Sequence, residues 1–178
     1  MSESNQASTI MRRVHLVGYS GHGKTTLAEV LIAHWLAAGL RIGSIKHTGH
    51  LHELDAPGKD SWRYRQAGCQ PVAIITGDRL ALHMPLTTAM DPYAMIAAHY
   101  AGCALVLVEG HLDTDATKVE VWRKELGSRP LACDHPSIRA LITDDVPSEP
   151  VSIPIWPRQD ISIIAAKLLS LSSAVAHE

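Results

Sequence analysis

Residues 18–25 read Gly-Tyr-Ser-Gly-His-Gly-Lys-Thr, a complete GxxxxGK[ST] pattern, and no other stretch restricts the fold as strongly. The pattern requires a buried strand before it and a helix after it. Val14, His15, Leu16 and Val17 supply the strand, a short apolar run of the kind buried in a parallel sheet. From Thr25 onward Leu27, Leu31 and Trp35, with Val30 and Leu36 beside them, keep a helical spacing that stops at Gly39. Gly18, Gly21 and Gly23 let the chain wrap closely, so that consecutive N–H groups of Tyr19, Ser20, His22 and their neighbours point inward at a polyphosphate. The helix start near Lys24 adds its partial positive charge. Lys24 is suited to reach the β- and γ-phosphates, the Thr25 hydroxyl to ligate Mg²⁺, and Thr26 to bond a phosphate nearer the sugar. His22 is expected to act through its backbone alone, with no required part for its side chain. The ligand class is a nucleoside triphosphate; the base and the fate of the γ-phosphate stay open.

The remaining pattern alternates strands with helices. A strand is expected over residues 41–46, a loop over 47–57, and a short polar helix over 58–67 closed by Gly68. Residues 71–76 and 79–83 flank Gly77-Asp78, a hairpin signal. Residues 92–100 read as helix, and 104–108 as the most strand-like run in the chain. Residues 118–123 alternate, which predicts a strand with one face less buried and a candidate edge for pairing two copies. A buried strand over 140–143, a proline-bearing connector over 147–157 and a helix over 160–171, with Asp160 as its N-cap, complete the reading. This order predicts an α/β fold of the P-loop NTPase type, a mostly parallel twisted sheet with helices on both faces. One domain over residues 12–174 is expected, after a disordered arm over 1–11.

Composition narrows the function. With 178 residues, 46% apolar and 19% charged, the chain suits one globular domain. Sixteen Lys+Arg against eighteen Asp+Glu give a net charge of −2, which excludes a global basic field for nucleic acid. Cys69, Cys103 and Cys133 are odd in number and scattered, so no disulfide scaffold is expected. The polar start and the lack of a run of about 20 apolar residues predict a cytoplasmic protein without membrane segments.

A P-loop protein needs a carboxylate at the end of a neighbouring buried strand to hold Mg²⁺ through its water shell. Glu109, directly after Leu105-Val-Leu-Val108, is that candidate, with Gly110 allowing a sharp turn beside the phosphates. Its two possible roles, holding the metal or positioning the attacking water, are not separable from sequence. Asp55 and Asp60 are rival carboxylates. Lys59 and Arg63, with Arg65 nearby, either aim positive charge at an anion or form an ordinary solvated helix face. His47, His50 and His52 have metal-compatible spacing but lack a cysteine motif, and solvated loop histidines are the commoner outcome. Asp144-Asp145 follow a late strand where a carboxylate can read guanine, but no Asn-Lys-x-Asp is present and a turn is the simpler reading.

Taken together, these segments resemble the MobB family of molybdopterin-guanine dinucleotide biosynthesis adapter proteins. The likeness is carried by residues 18–25, Ile45-Lys-His47, Asp55-x-Pro-Gly-Lys-Asp-Ser-Trp-Arg-x-Arg-x-Ala-Gly68, Leu105-Val-Leu-Val-Glu-Gly110 and Lys118-Val-Glu-Val-x-Arg123. The block ending at Gly68 is the most specific of them. The resemblance implies a GTP-binding protein with Mg²⁺, a slow GTPase and homodimer that assists the guanylyltransferase joining GMP to molybdopterin. Carried over by position, it puts Lys24 and Glu109 in the catalytic role and Thr25 and Glu109 at the metal. Residues 18–26, with Asp60 and Arg63 on the distinctive helix, then take the nucleotide. The chain departs from the family at His111-Leu112, where Phe and Lys are frequent after Val-Glu-Gly. It departs also at Gly49 and His52, where His and Phe are common. Two alternatives are a P-loop small-molecule kinase, for which Arg63 and Arg65 are the only arginine cluster, and a nickel-type metallochaperone GTPase.

Overall fold

The computed structural model describes residues 11–147 and 149–174, with side chains to residue 172. The arm expected over residues 1–11 lies, except for Met11, outside them. In chain order the elements are β1 (Arg13–Val17), α1 (Lys24–Ala37), β2 (Ile42–Lys46), α2 (Asp60–Gln66), β3 (Val72–Ile75) and β4 (Leu80–His83). They continue with α3 (Pro92–Ile96), β5 (Leu105–Glu109), β6 (Lys118–Val121), β7 (Ile138–Ile142), β8 (Ile155–Trp156) and α4 (Ile161–Ala174). Short 3-10 turns lie at Ala97–Tyr100, Lys124–Leu126 and Leu131–Cys133. The chain divides into two compact units, one made of the residues up to Thr48 with those from Ala97 on, the other of Gly49–Ile96.

The first unit holds a six-stranded sheet in the order β2-β5-β1-β6-β7-β8, with every pairing parallel. Its central strands are buried on both faces, as a parallel sheet covered on two sides requires. Val14, Leu16, Leu105, Leu107, Val119, Val121, Ala140 and Ile142 form a core with α1 and α4. Leu27, Ala28, Leu31 and Trp35 line one stripe of α1, and Ile164, Ala165 and Leu168 one stripe of α4. The opposite face carries Val106, Val108 and Glu120. The Ala97–Tyr100 turn lies on it, since a side chain at Gly43 would run into the Tyr100 ring. The Leu131–Cys133 turn lies on it too, its Leu131 and Ala132 N–H groups donating to Glu120 at 2.8 and 2.9 Å. The expected α/β sheet with helical cover on both faces is therefore present, in part as 3-10 turns.

Glycine ends two helices by the same device. Gly39 (φ 77°) donates to Leu36 O and Leu40 N–H to Trp35 O, which closes α1 in a Schellman motif. Gly68 (φ 94°) donates to Arg65 O and Cys69 N–H to Tyr64 O, which closes α2 identically.

Three expectations change. First, β6 is not an edge strand: it sits between β1 and β7. All its residues are buried, including Lys118 (1% exposed) and Glu120 (0%). Its polar alternation arises because the Lys118 ammonium donates to Thr114 O and Ala116 O and the Glu120 carboxylate takes two N–H groups. Second, the connector contains strand β8, hidden in sequence by Pro154 and Pro157. Proline is tolerated at a sheet edge, where β8 lies, and Leu141 N–H still finds Pro154 O at 2.9 Å. Third, the helix expected over 92–100 is α3 followed by a 3-10 turn.

The second unit contains α2, α3 and the β3–β4 hairpin, paired Val72 with His83 through Ile75 with Leu80. Its turn is closed by Thr76, whose N–H donates to Arg79 O at 2.9 Å. Among the described residues no helix is long and apolar enough to cross a membrane.

Candidate nucleotide site

The GxxxxGK[ST] segment leaves the C-terminal end of β1 and turns into α1. Gly18 (φ 134°) is needed because an added Cβ would stand 2.5 Å from Val121 O on the adjacent strand. Gly21 and Gly23 also hold positive φ, 83° and 80°. Gly23 is the N-cap of α1 with no side-chain cap, and the first turn carries no acidic residue. Such a helix start is chemically suited to an anion.

Lys24 Nζ donates to Gly18 O and Tyr19 O, each at 2.8 Å, so the ammonium bridges the opening of the loop. Partial burial lowers its pKa from the usual range, and Glu109 pulls the other way. Thr25 Oγ1 donates to both oxygens of Glu109 at 2.9 Å. The parallel register that sets Leu16 beside Glu109 brings these residues together. Lys46, paired with Glu109 across β2 and β5, forms an ion pair with it. Gly110 (φ 91°) follows, and an added Cβ would lie 2.6 Å from His47 O. Tyr19, Ser20, Thr25 and Thr26 are exposed on the loop and the first turn.

Sequence reasoning missed several participants. The His22 side chain is buried (1% exposed) rather than idle, with Nδ1 accepting the Arg123 N–H at 2.9 Å. Arg158, just after the expected connector, donates to His22 O at 2.9 Å and Gly23 O at 3.0 Å. Lys46 was visible only as part of a motif. Nothing local announces these contacts, because each joins residues far apart in the chain. Asp144 and Asp145 serve loop geometry: Asp144 accepts the Arg158 N–H at 2.7 Å and Asp145 the Lys124 N–H at 2.9 Å.

Asp60 and Arg63 lie on α2 of the second unit, both exposed. In that unit Arg65, rather than Arg63, is engaged: it ion-pairs with Glu53 and lies 4.0 Å from Asp55. A hydrogen bond from Ser61 is the main cause holding the Asp55 carboxyl below its ordinary pKa. The three loop histidines divide between the units, His47 in the first and His50 with His52 in the second. His47 instead stacks on His111, ring centroids 3.9 Å apart. Among the described residues no group of three or more His, Cys, Asp or Glu is gathered to hold a metal. Thr25 with Glu109 nevertheless suits Mg²⁺, which takes one or two protein oxygens and completes its shell with phosphate and water.

A glycine-rich loop opening a helix, joined through Thr25 to a carboxylate on the neighbouring parallel strand, defines a P-loop nucleotide-binding protein. Within that class the chain belongs to the MobB family, Molybdopterin guanine dinucleotide synthesis protein B, which matches residues 13–144. It is similar to the molybdopterin-guanine dinucleotide biosynthesis adapter protein of Haemophilus influenzae, 37% identical over 118 residues. That match spans 65% of this chain and 65%, just under two thirds, of that relative. The Escherichia coli adapter protein is 34% identical over 147 residues, 78% of this chain and 81% of that one. Among solved structures, Bacillus subtilis MobB superposes with a TM-score of 0.67 at 25% identity, covering 89% of this chain and 96% of that one. The MobB homolog from Bacillus stearothermophilus gives 0.63 at 25% identity, with 92% and 99% covered. The comparisons favour neither the kinase nor the metallochaperone alternative.

Proposed function

We propose that this chain is a GTP-binding adapter in molybdenum cofactor maturation, a slow Mg²⁺-dependent GTPase that assists the guanylyltransferase attaching GMP to molybdopterin. The observation that carries the nucleotide reading is the Thr25–Glu109 pair at the mouth of an uncapped, glycine-wrapped helix start. The N–H groups of residues 18–26 cradle the phosphates, and Lys24 exchanges its loop carbonyls for the β- and γ-oxygens. Thr25 and Glu109 would hold the metal, which when bound would offset phosphate charge. Asp60 and Arg63 are further nucleotide-side candidates. The adapter role follows that of the H. influenzae and E. coli relatives, and the site of action is the cytoplasm.

Two copies associate through the β3–β4 hairpin. Neither strand contains Asp, Glu, Lys or Arg, and Ala73, Ile75, Leu80 and Leu82 share one face by register. Ile75, Leu80 and Leu82 on that face are exposed. A two-stranded hairpin is marginal alone, and an uncharged edge without gatekeeping residues accepts another strand. A second copy offers the same uncharged surface by two-fold symmetry.

Calorimetric titration with GTP and ATP, with and without Mg²⁺, tests the ligand: tighter, Mg²⁺-dependent GTP binding is expected, and equal affinities defeat the base assignment. Pull-down of the guanylyltransferase, with and without GTP, tests the partner. Light scattering tests the dimer, which Leu80→Lys is expected to convert to monomer; a monomeric wild type refutes it.

A further inference from the structure

The loops after β1, β6, β7 and β8 are joined into a closed ring of hydrogen bonds. His22 Nδ1 accepts the Arg123 N–H at 2.9 Å. The next residue, Lys124, donates its N–H to Asp145 at 2.9 Å, and neighbouring Asp144 accepts the Arg158 N–H at 2.7 Å. The Arg158 guanidinium then returns to the P-loop, donating to His22 O at 2.9 Å and Gly23 O at 3.0 Å. The second imidazole nitrogen, Nε2, lies 3.0 Å from Ser128 Oγ. A backbone N–H can only donate, so Nδ1 carries no proton and Nε2–H is the donor to Ser128. One neutral tautomer satisfies the whole arrangement.

We propose that His22 is a positioning residue whose neutral, Nε2-protonated imidazole holds the phosphate loop in its ligand-binding shape and couples it to the loops after β6, β7 and β8. The inference rests on the nucleotide-binding reading above. Its physical basis is that a loop of glycines has little stiffness of its own. The shape must be imposed from outside, and here one side chain and one guanidinium impose it at consecutive residues.

The surroundings oppose protonation of this imidazole. Burial is the main cause lowering its pKa from 6.5, and Lys24 on α1, Arg123 after β6 and Arg158 after β8 add positive charge. The Tyr19 ring stands 6.1 Å away. The nearby carboxylates are engaged elsewhere, Glu125 with Arg123, Asp144 with Arg158 N–H and Asp145 with Lys124 N–H. His22 is therefore neutral at pH 7. Once pH falls through that lowered pKa, a proton on Nδ1 confronts the Arg123 N–H, and the ring opens at that link.

The test measures GDP affinity by calorimetry at pH 7.5 and 5.5 for wild type, His22→Ala, His22→Asn and Ser128→Ala. His22→Ala is expected to bind about tenfold more weakly, the scale of a buried hydrogen bond left unmade. His22→Asn, whose amide oxygen can accept the Arg123 N–H, recovers most of that loss. Any weakening of wild type on acidification is expected to exceed that of His22→Asn, which has no proton to gain. Should His22→Ala lose its far-UV circular dichroism, Ser128→Ala carries the comparison, with about threefold weakening expected. Independently of any nucleotide, side-chain ¹⁵N NMR at pH 7 is expected to show His22 neutral with the proton on Nε2. The other tautomer, or a folded Ala or Ser128→Ala variant that binds as wild type does, overturns the inference alone. A wild type that binds no guanine nucleotide overturns it together with the nucleotide reading.

Discussion

The Thr25 hydroxyl and the Glu109 carboxylate, 84 positions apart in the chain, meet at 2.9 Å because β1 and β5 run parallel in register. Glu109 terminates a strand whose other residues are at most 2% exposed, yet it is held by Thr25 and Lys46 rather than left uncompensated. Replacing it by Gln keeps the shape and removes the charge. Glu109→Gln is expected to slow Mg²⁺-dependent GTP hydrolysis by at least about tenfold while nucleotide affinity changes less. Phosphate release and calorimetry on one preparation check this, and equal effects on both would return Glu109 to a structural part.

Lys24, a cation of the loop itself, spans Gly18 O and Tyr19 O. Lys24→Ala is expected to weaken GTP binding by roughly a hundredfold, or about 3 kcal/mol, since a charge-assisted contact to phosphate is lost. Thermal stability should change little, because those carbonyls can take water instead. Nucleotide titration alongside a melting curve distinguishes the two.

Gly110 cannot carry a side chain. A Cβ would stand 2.6 Å from His47 O, and φ is 91°. Gly110→Ala is expected to cost about 2 kcal/mol or more of stability. It should also disturb Glu109, whose carbonyl accepts the His47 N–H at 2.9 Å. Urea unfolding checks the first effect and GTP hydrolysis the second.

Acid should weaken the fold through His15. Buried in the middle of β1, its pKa is lowered from 6.5 to about 4, chiefly by burial, with Nδ1 donating to Gly110 O at 3.1 Å. A base whose folded pKa is depressed binds fewer protons folded than unfolded, so its contribution is complete above pH 6.5. That contribution is lost as pH falls through the folded value near 4. The loss attributable to this residue is about 3 kcal/mol. Urea midpoints from pH 7 to 4 should fall more steeply for wild type than for His15→Gln, and equal slopes would exclude His15 as the cause.

Much of the fold was legible locally. The P-loop, the strand and helix around it, the Gly39 and Gly68 helix ends, the Gly77-Asp78 hairpin and the buried β5 ending in Glu109 all follow from short-range patterns. The errors share one origin. Lys118 and Glu120 alternate with valines and so imitate an edge strand, yet β6 is interior because its polar groups find backbone partners from loops. β8 was hidden because Pro154 and Pro157 read as loop, whereas an edge strand of two residues needs few donors.

By itself the sequence determined the phosphate loop, the residue types able to hold a triphosphate and a metal, and the family motifs that accompany them. These depend on covalent neighbours: glycine φ freedom, a helix start, a carboxylate closing an apolar run. Tertiary structure alone decided that Glu109 faces Thr25 and Lys46, that His22 and Arg158 brace the loop, and that β6 lies inside the sheet. Those contacts span up to 136 positions, and the order in which parallel strands assemble, which no local pattern encodes, is what creates them.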